Sequence, residues 1–151
     1  MLFTRAERYA LRSVIHLAEK PPGSVVTLEE LSEAQGVSKQ FLANILAHLT
    51  AAGLLHSYRG LHGGYSLNRS PERLTVANIW DAIRGEDAPI NCVVDAVECP
   101  SQSFCPIRNL FEQGFAELHS YLEKCTVQRL VSQLNNLPEP TTCGSARRVC
   151  H

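Results

Sequence analysis

Residues 27–53, T-L-E-E-L-S-E-A-Q-G-V-S-K-Q-F-L-A-N-I-L-A-H-L-T-A-A-G, constrain the fold more than any other stretch. Thr27 stands where a helix cap belongs, and Glu30 follows three residues later, the pattern of a capping box. Leu28, Leu31 and Ala34 recur at helical spacing and Gly36 stops the run. One residue on, Ser38 caps a second helix whose apolar face is Phe41, Leu42, Ile45, Leu46 and Leu49, and Gly53 stands at its end. Two helices joined by Gly36-Val37-Ser38 make a helix-turn-helix.

The flanking residues extend this unit. Residues 4–19 carry Ala6, Tyr9, Ala10, Val14, Leu17 and Ala18, a helical pattern ended by Pro21-Pro22-Gly23. Val25-Val26 reads as a very short strand. Residues 54–59 and 65–67 read as two strands joined by Gly60-Leu61-His62-Gly63-Gly64, a hairpin or wing. Thr75 caps a helix over 76–84 with Gly85 beyond it. The predicted architecture is mainly α: a winged helix-turn-helix DNA-binding domain over 1–85, with a small β-hairpin wing. Residues 86–106 show neither periodicity and form a cysteine-bearing loop. From Pro106 the helical pattern returns through Ile107, Leu110, Phe111, Phe115, Leu118, Tyr121 and Leu122. A further helix, separate from Thr126 or continuous with this one, carries Leu130, Val131, Leu134 and Leu137. About 20 helical residues span about 30 Å, and the apolar stripe of such a helix needs a partner. A second copy is the simplest one, so 107–137 is read as a dimerisation region and the protein as a homodimer. The tail, 138–151, is expected to be disordered.

Charge is distributed to match. Residues 1–85 hold nine Lys/Arg against seven Asp/Glu, whereas 86–151 hold five against eight. This suits a DNA-facing front and an acidic back. Ser38, Lys39, Gln40 and Asn44 are the exposed polar positions of the second helix, which a helix-turn-helix lays in the major groove. Ser38 and Lys39 suit phosphates, while Gln40 and Asn44 can pair donor and acceptor with a base edge, adenine best. Arg59, with Gly60 beside it, can enter a minor groove, and His62 lies at the wing tip. The plain alternative for any one of these is a solvated helix face or an ordinary turn. No catalytic or nucleotide-binding motif competes, so no enzyme is expected.

The first twenty residues mix Arg5, Glu7, Arg8, Arg12 and Glu19 with apolar ones. That predicts neither an export signal nor a membrane span, and hence a cytoplasmic location. Thiols stay mostly reduced there, so the six cysteines read as ligands or redox sensors. Cys92, Cys99 and Cys105 stand at C-x(6)-C-x(5)-C, too wide for a zinc knuckle. Thiolates favour iron–sulfur clusters, zinc and copper(I). An iron–sulfur cluster (2Fe–2S or 4Fe–4S), structural zinc, a thiol–disulfide switch and vestigial cysteines are the readings in play.

R-Y-A-L at 8–11, G-V-S at 36–38, the helix ending near Gly53, R-G-L-H-G-G-Y at 59–65 and the three cysteines together resemble the Rrf-type transcription regulators. The similarity covers all but the tail. It implies a homodimeric regulator of a double-stranded DNA operator, a repressor by expectation, which senses redox, nitric oxide or iron status through an iron–sulfur cluster on Cys92, Cys99 and Cys105. A cluster-free thiol–disulfide regulator is the alternative. By position, the resemblance assigns Ser38, Gln40 and Asn44 to the major groove and Arg59 to the minor groove. Ala43 stands where one iron–sulfur regulator of the family has a base-discriminating Glu, which implies a different operator. Arg108 stands where that regulator has a ligating His, and a guanidinium cannot ligate. Other members take a carboxylate or His from the partner's first helix, which makes Glu7 a candidate fourth ligand, although the aligned position is Arg8. Cys125, Cys143, Cys150, His151 and a solvent-derived ligand or small thiol are the other candidates.

Overall fold

The computed structural model describes residues 3–60, 63–85 and 105–136. Six helices and one hairpin follow in the order α1 (Arg5–Ala18), α2 (Leu28–Gln35), α3 (Lys39–Ala51), β1 (Leu55–Tyr58), β2 (Gly64–Leu67), α4 (Val76–Arg84), α5 (Pro106–Glu123) and α6 (Val127–Asn135). The mainly helical, winged architecture matches the expectation from sequence. No helix among the described residues is long and apolar enough to cross a membrane.

Local chemistry sets the boundaries. The Thr27 hydroxyl accepts from the Glu30 amide at 3.1 Å, but the Glu30 carboxylate turns to Lys20 at 2.8 Å instead of closing the box. Complete capping boxes form at Thr4 with Glu7 and at Thr75 with Asn78. Gly36 ends α2 at φ 65°, a left-handed conformation that a side chain disfavours. Ser38 caps α3 through the Phe41 amide.

The core is built where α1, α2, α3 and the hairpin converge. Leu31, Leu42, Leu46, Leu49, Leu55 and Leu74 are fully buried there with Val14 and Ala10. The α2 face differs from expectation, for Ala34 is exposed and Gln35 is buried instead. Gln35 Nε2 donates to Ser13 Oγ at 2.8 Å, and Ser13 Oγ donates to the Tyr9 carbonyl, so a polar chain crosses the α1–α2 contact.

Strands β1 and β2 pair antiparallel, with Leu55 opposite Leu67 and Tyr58 opposite Gly64. Val26 adds a third rung by exchanging two backbone hydrogen bonds with Tyr65, at 2.9 and 2.8 Å. Gly64 permits this approach, because a Cβ there would run into the Val26 carbonyl.

The chain after α5 does not continue as one helix. It breaks at Lys124–Cys125, where backbone bonds from Val76 to Cys125 and from Val127 to Leu74 form a short bridge. Thr126 then caps α6. Helix α6 packs back on the main core through Val127 and Val131. Within the region read as a dimerisation element, α6 is thus part of the protomer's own core. Val127→Ala is expected to cost about 2 kcal/mol in urea unfolding, the worth of two buried methyl-sized groups plus a small cavity. A cost near zero would place α6 outside the cooperative core.

Candidate nucleic-acid interface and metal-ligating segment

Helix α3 is held by Leu42, Ile45, Leu46 and Leu49. Its opposite face carries Ser38, Lys39, Gln40 and Asn44, all exposed. These four lie on the first two turns, the part of a recognition helix that reaches base edges. Lys39 is paired in the free protein: its ammonium donates to Glu29 Oε1 at 2.5 Å and holds that carboxyl below its ordinary value. The pair is exposed at both ends, and solvent screening leaves such pairs weak, so a DNA phosphate can take the lysine at little cost.

Arg59 follows β1 and is exposed, and Gly60 beside it turns the chain at φ 103°. Gly63 donates to the Gly60 carbonyl at 2.9 Å, and a Cβ on Gly63 would lie 2.6 Å from the Tyr58 carbonyl oxygen. The turn at the wing is therefore closed by backbone contact. His62 lies outside the described residues.

Of the cysteines read as ligands, Cys92 and Cys99 also lie outside the described residues, as do Cys143, Cys150 and His151. Cys105 is half-buried with a free thiol at the N-cap of α5, where it makes no side-chain capping bond. Its thiol stands at the start of the first turn of α5. Cys125 is free and half-buried, packed against the cluster that contains Val76, Trp80 and Leu122. Among the described residues no three His, Cys, Asp or Glu side chains cluster as metal ligands.

The structure puts Glu7 to a use that the sequence pattern did not suggest. It is 2% exposed. Its Oε1 accepts from Trp80 Nε1 at 2.7 Å and from Arg84 Nε at 2.5 Å, and its Oε2 accepts from the Thr4 amide at 2.5 Å. Burial pushes the Glu7 carboxyl up. Hydrogen bonds from Arg84 and Thr4, with the Arg84 charge, outweigh it and hold the group below its ordinary value. Both oxygens are committed in this arrangement. Glu7 could reach a metal only by leaving three donors and stranding a buried indole N–H. The T-x-x-E pattern at 4–7 was the available sign that Glu7 turns back onto its own helix start.

This cluster joins three helices. The Arg84 guanidinium lies over the Trp80 ring at 4.4 Å and near Phe115 of α5 at 5.7 Å. His119 of α5 stacks on Trp80 and meets both carboxylate oxygens of Asp81 at 3.1 Å. Helices α1, α4 and α5 are thus joined around Trp80 and the C-terminal end of α4.

The chain belongs to the Rrf2 family. The profile of that family, described as "Iron-dependent Transcriptional regulator", matches residues 3–133. An rrf2-like HTH-type transcriptional regulator of Rhodobacter capsulatus is 28% identical over 142 residues, 89% of this chain and 95% of that protein. Among solved structures, CymR, the global cysteine regulator of B. subtilis, superposes with a TM-score of 0.68 at 27% identity, over 87% of this chain and 96% of that one. IscR of T. potens superposes with a TM-score of 0.70 at 21% identity, over 91% and 93%. The protein is a DNA-binding transcriptional regulator, and its relatives are regulators, not enzymes.

Glu7→Ala is expected to destabilise the fold by about 3 kcal/mol, the low end for removing one partner of a buried pair, because Arg84 keeps some solvent contact. For Glu7→Gln the deficit depends on pH. The folded carboxyl titrates below the ordinary 4.5, so its contribution is complete above that value and fades as pH falls through the folded one. Unfolding of wild type and Glu7→Gln at pH 7 and pH 3 checks this; a deficit that grows toward pH 3 contradicts it.

Proposed function

We propose that this chain is a homodimeric operator-binding repressor that responds to redox, nitric oxide or iron status through an iron–sulfur cluster held by Cys92, Cys99 and Cys105. The observation that carries the reading is the anchoring of the cysteine segment. Arg84, bonded to Glu7 of α1, stands immediately before Gly85 and the segment that follows, and Cys105 stands at the N-cap position of α5. A change among the three thiols is therefore joined at one end to the DNA-reading domain and at the other to α5.

Helix α5 supplies the second half. Ile107, Leu110, Phe111 and Tyr121 are 65%, 67%, 53% and 62% exposed, far more than a lone protomer in water favours for one stripe. Gly114 lies on the same stripe with open space where a Cβ would be, so a facing helix can approach closely. A second copy packed here makes the pair of recognition helices that a two-fold operator requires. Ser38 and Lys39 would hold phosphates, Gln40 and Asn44 would read base edges, and Arg59 with Gly60 and His62 would enter the minor groove.

A bound cluster supplies an oxidisable or displaceable iron centre. Glu7 as the fourth ligand would require the Arg84 and Trp80 bonds to open, which makes a ligand outside this cluster the better choice. The kinship with a global cysteine regulator favours a second reading, in which thiol oxidation without a cluster does the sensing.

Anaerobic purification with iron and sulfide analysis separates the two. The expected result is a coloured protein containing iron and sulfide, both lost in Cys92→Ala together with signal-dependent binding of operator DNA. A colourless protein after anaerobic assembly with iron and sulfide moves the sensing to thiol oxidation. Separately, Phe111→Asp is expected to give a monomer in analytical ultracentrifugation with operator affinity at least tenfold weaker, since a charge in an apolar interface core is not tolerated. A dimer of unchanged stability would remove α5 from the interface.

A further inference from the structure

We propose that Arg5 is a clamp for a backbone phosphate of duplex DNA, which extends the interface from the recognition helix onto the start of α1; this rests on the DNA-binding reading above. The guanidinium of Arg5 lies over two aromatic rings, 5.3 Å from the centre of Phe41 and 5.7 Å from that of Tyr9. The two rings meet edge to face at 5.7 Å and 87°. Phe41 is the third residue of α3, and its amide donates to the Ser38 cap. Arg5 is therefore fixed against the turn of the recognition helix that carries Ser38, Lys39 and Gln40.

Among the described residues no carboxylate pairs with it. Lys20, Lys39 and Arg84 each have a carboxylate partner. Among the described residues Arg5, Arg8 and Arg12 have none, and all three are exposed. They recur at i, i+3 and i+7, one edge of α1. Arg12 also lies over the Tyr9 ring, at 5.6 Å. The acidic residue of the first turn, Glu7, is buried away from this edge with Trp80 and Arg84. The result is a positive strip of Arg5, Arg8 and Arg12 beside the helix read as entering the major groove.

Phosphate is the ligand this arrangement fits. Stacking uses the face of a guanidinium and leaves its in-plane N–H donors for an oxyanion, and a side chain already held by two rings loses less freedom on binding. A neutral base edge offers such a cation less than the duplex backbone does. A phosphate contact fixes register and adds affinity without reading sequence.

The test is a salt titration of DNA binding by the full-length dimer. The probes are a duplex selected by the wild-type protein from a random pool and an unrelated duplex of the same length. Arg5→Gln is expected to weaken binding to both by a similar factor and to lower the slope of log K against log[salt] by about one per protomer. Arg5→Lys keeps the charge and is expected to keep the slope with a smaller loss of affinity. An unchanged slope in Arg5→Gln, or a loss confined to the selected duplex, overturns the clamp. A random pool from which the wild-type protein enriches no duplex defeats the DNA-binding reading itself, which separates the two failures.

Discussion

The Glu7 carboxylate is the point on which the architecture turns. A charge in a protein interior is costly unless every oxygen is paired. Here an indole N–H, a guanidinium and a backbone amide supply that pairing from α4 and from the α1 start. Each donor is in turn fixed by packing: Trp80 is buried against Phe3 and Phe115, and Arg84 stacks on Trp80. The apolar core alone would allow α4 some freedom to slide along α1. Directional bonds to one carboxylate remove it and fix where Gly85 stands relative to α1.

That rigidity divides the protomer into two surfaces with different physics. The front is polar and cationic, with α3, the wing and the arginine edge of α1, and it suits a ligand that releases counterions. The back is the exposed stripe of α5, uncharged along Ile107, Leu110, Phe111 and Tyr121, and it suits a partner that excludes water. The two surfaces share no residue.

Much of this was legible in sequence, because caps, glycine stops and apolar spacing are local. The ends of α2, α3 and α4 and the hairpin follow from Thr27, Gly36, Ser38, Gly53, Thr75 and Gly85, each acting within a few residues. What did not follow was long-range. Glu7 bonds residues 73 and 77 positions away, and nothing in its neighbourhood marks that partnership. Gln35 takes the buried place expected of Ala34 because Ser13 on another helix offers it a bond. The placement of α6 in the core likewise depends on a bridge between Leu74 and Val127 that no periodicity encodes. For the site, residue type and spacing predict which side chains could read DNA, whereas the pairing of Lys39 with Glu29 and the stacking of Arg5 on Phe41 are tertiary facts.

The division of α5 indicates how a signal could travel. Its C-terminal half is committed to the protomer through Phe115, Leu118 and Leu122. Its N-terminal half, beginning at Cys105, presents Ile107, Leu110 and Phe111 to solvent. Moving α4 against α1 within one protomer would break the Glu7 bonds. Shifting the first turns of α5 against a partner helix breaks none of them. A change at the cysteine segment would then act on the angle between two intact reading heads, not on the shape of either. Because two recognition helices must sit about one duplex turn apart, a small change in that angle alters operator affinity while single-protomer contacts stay the same. Stiff protomers would make such a lever effective.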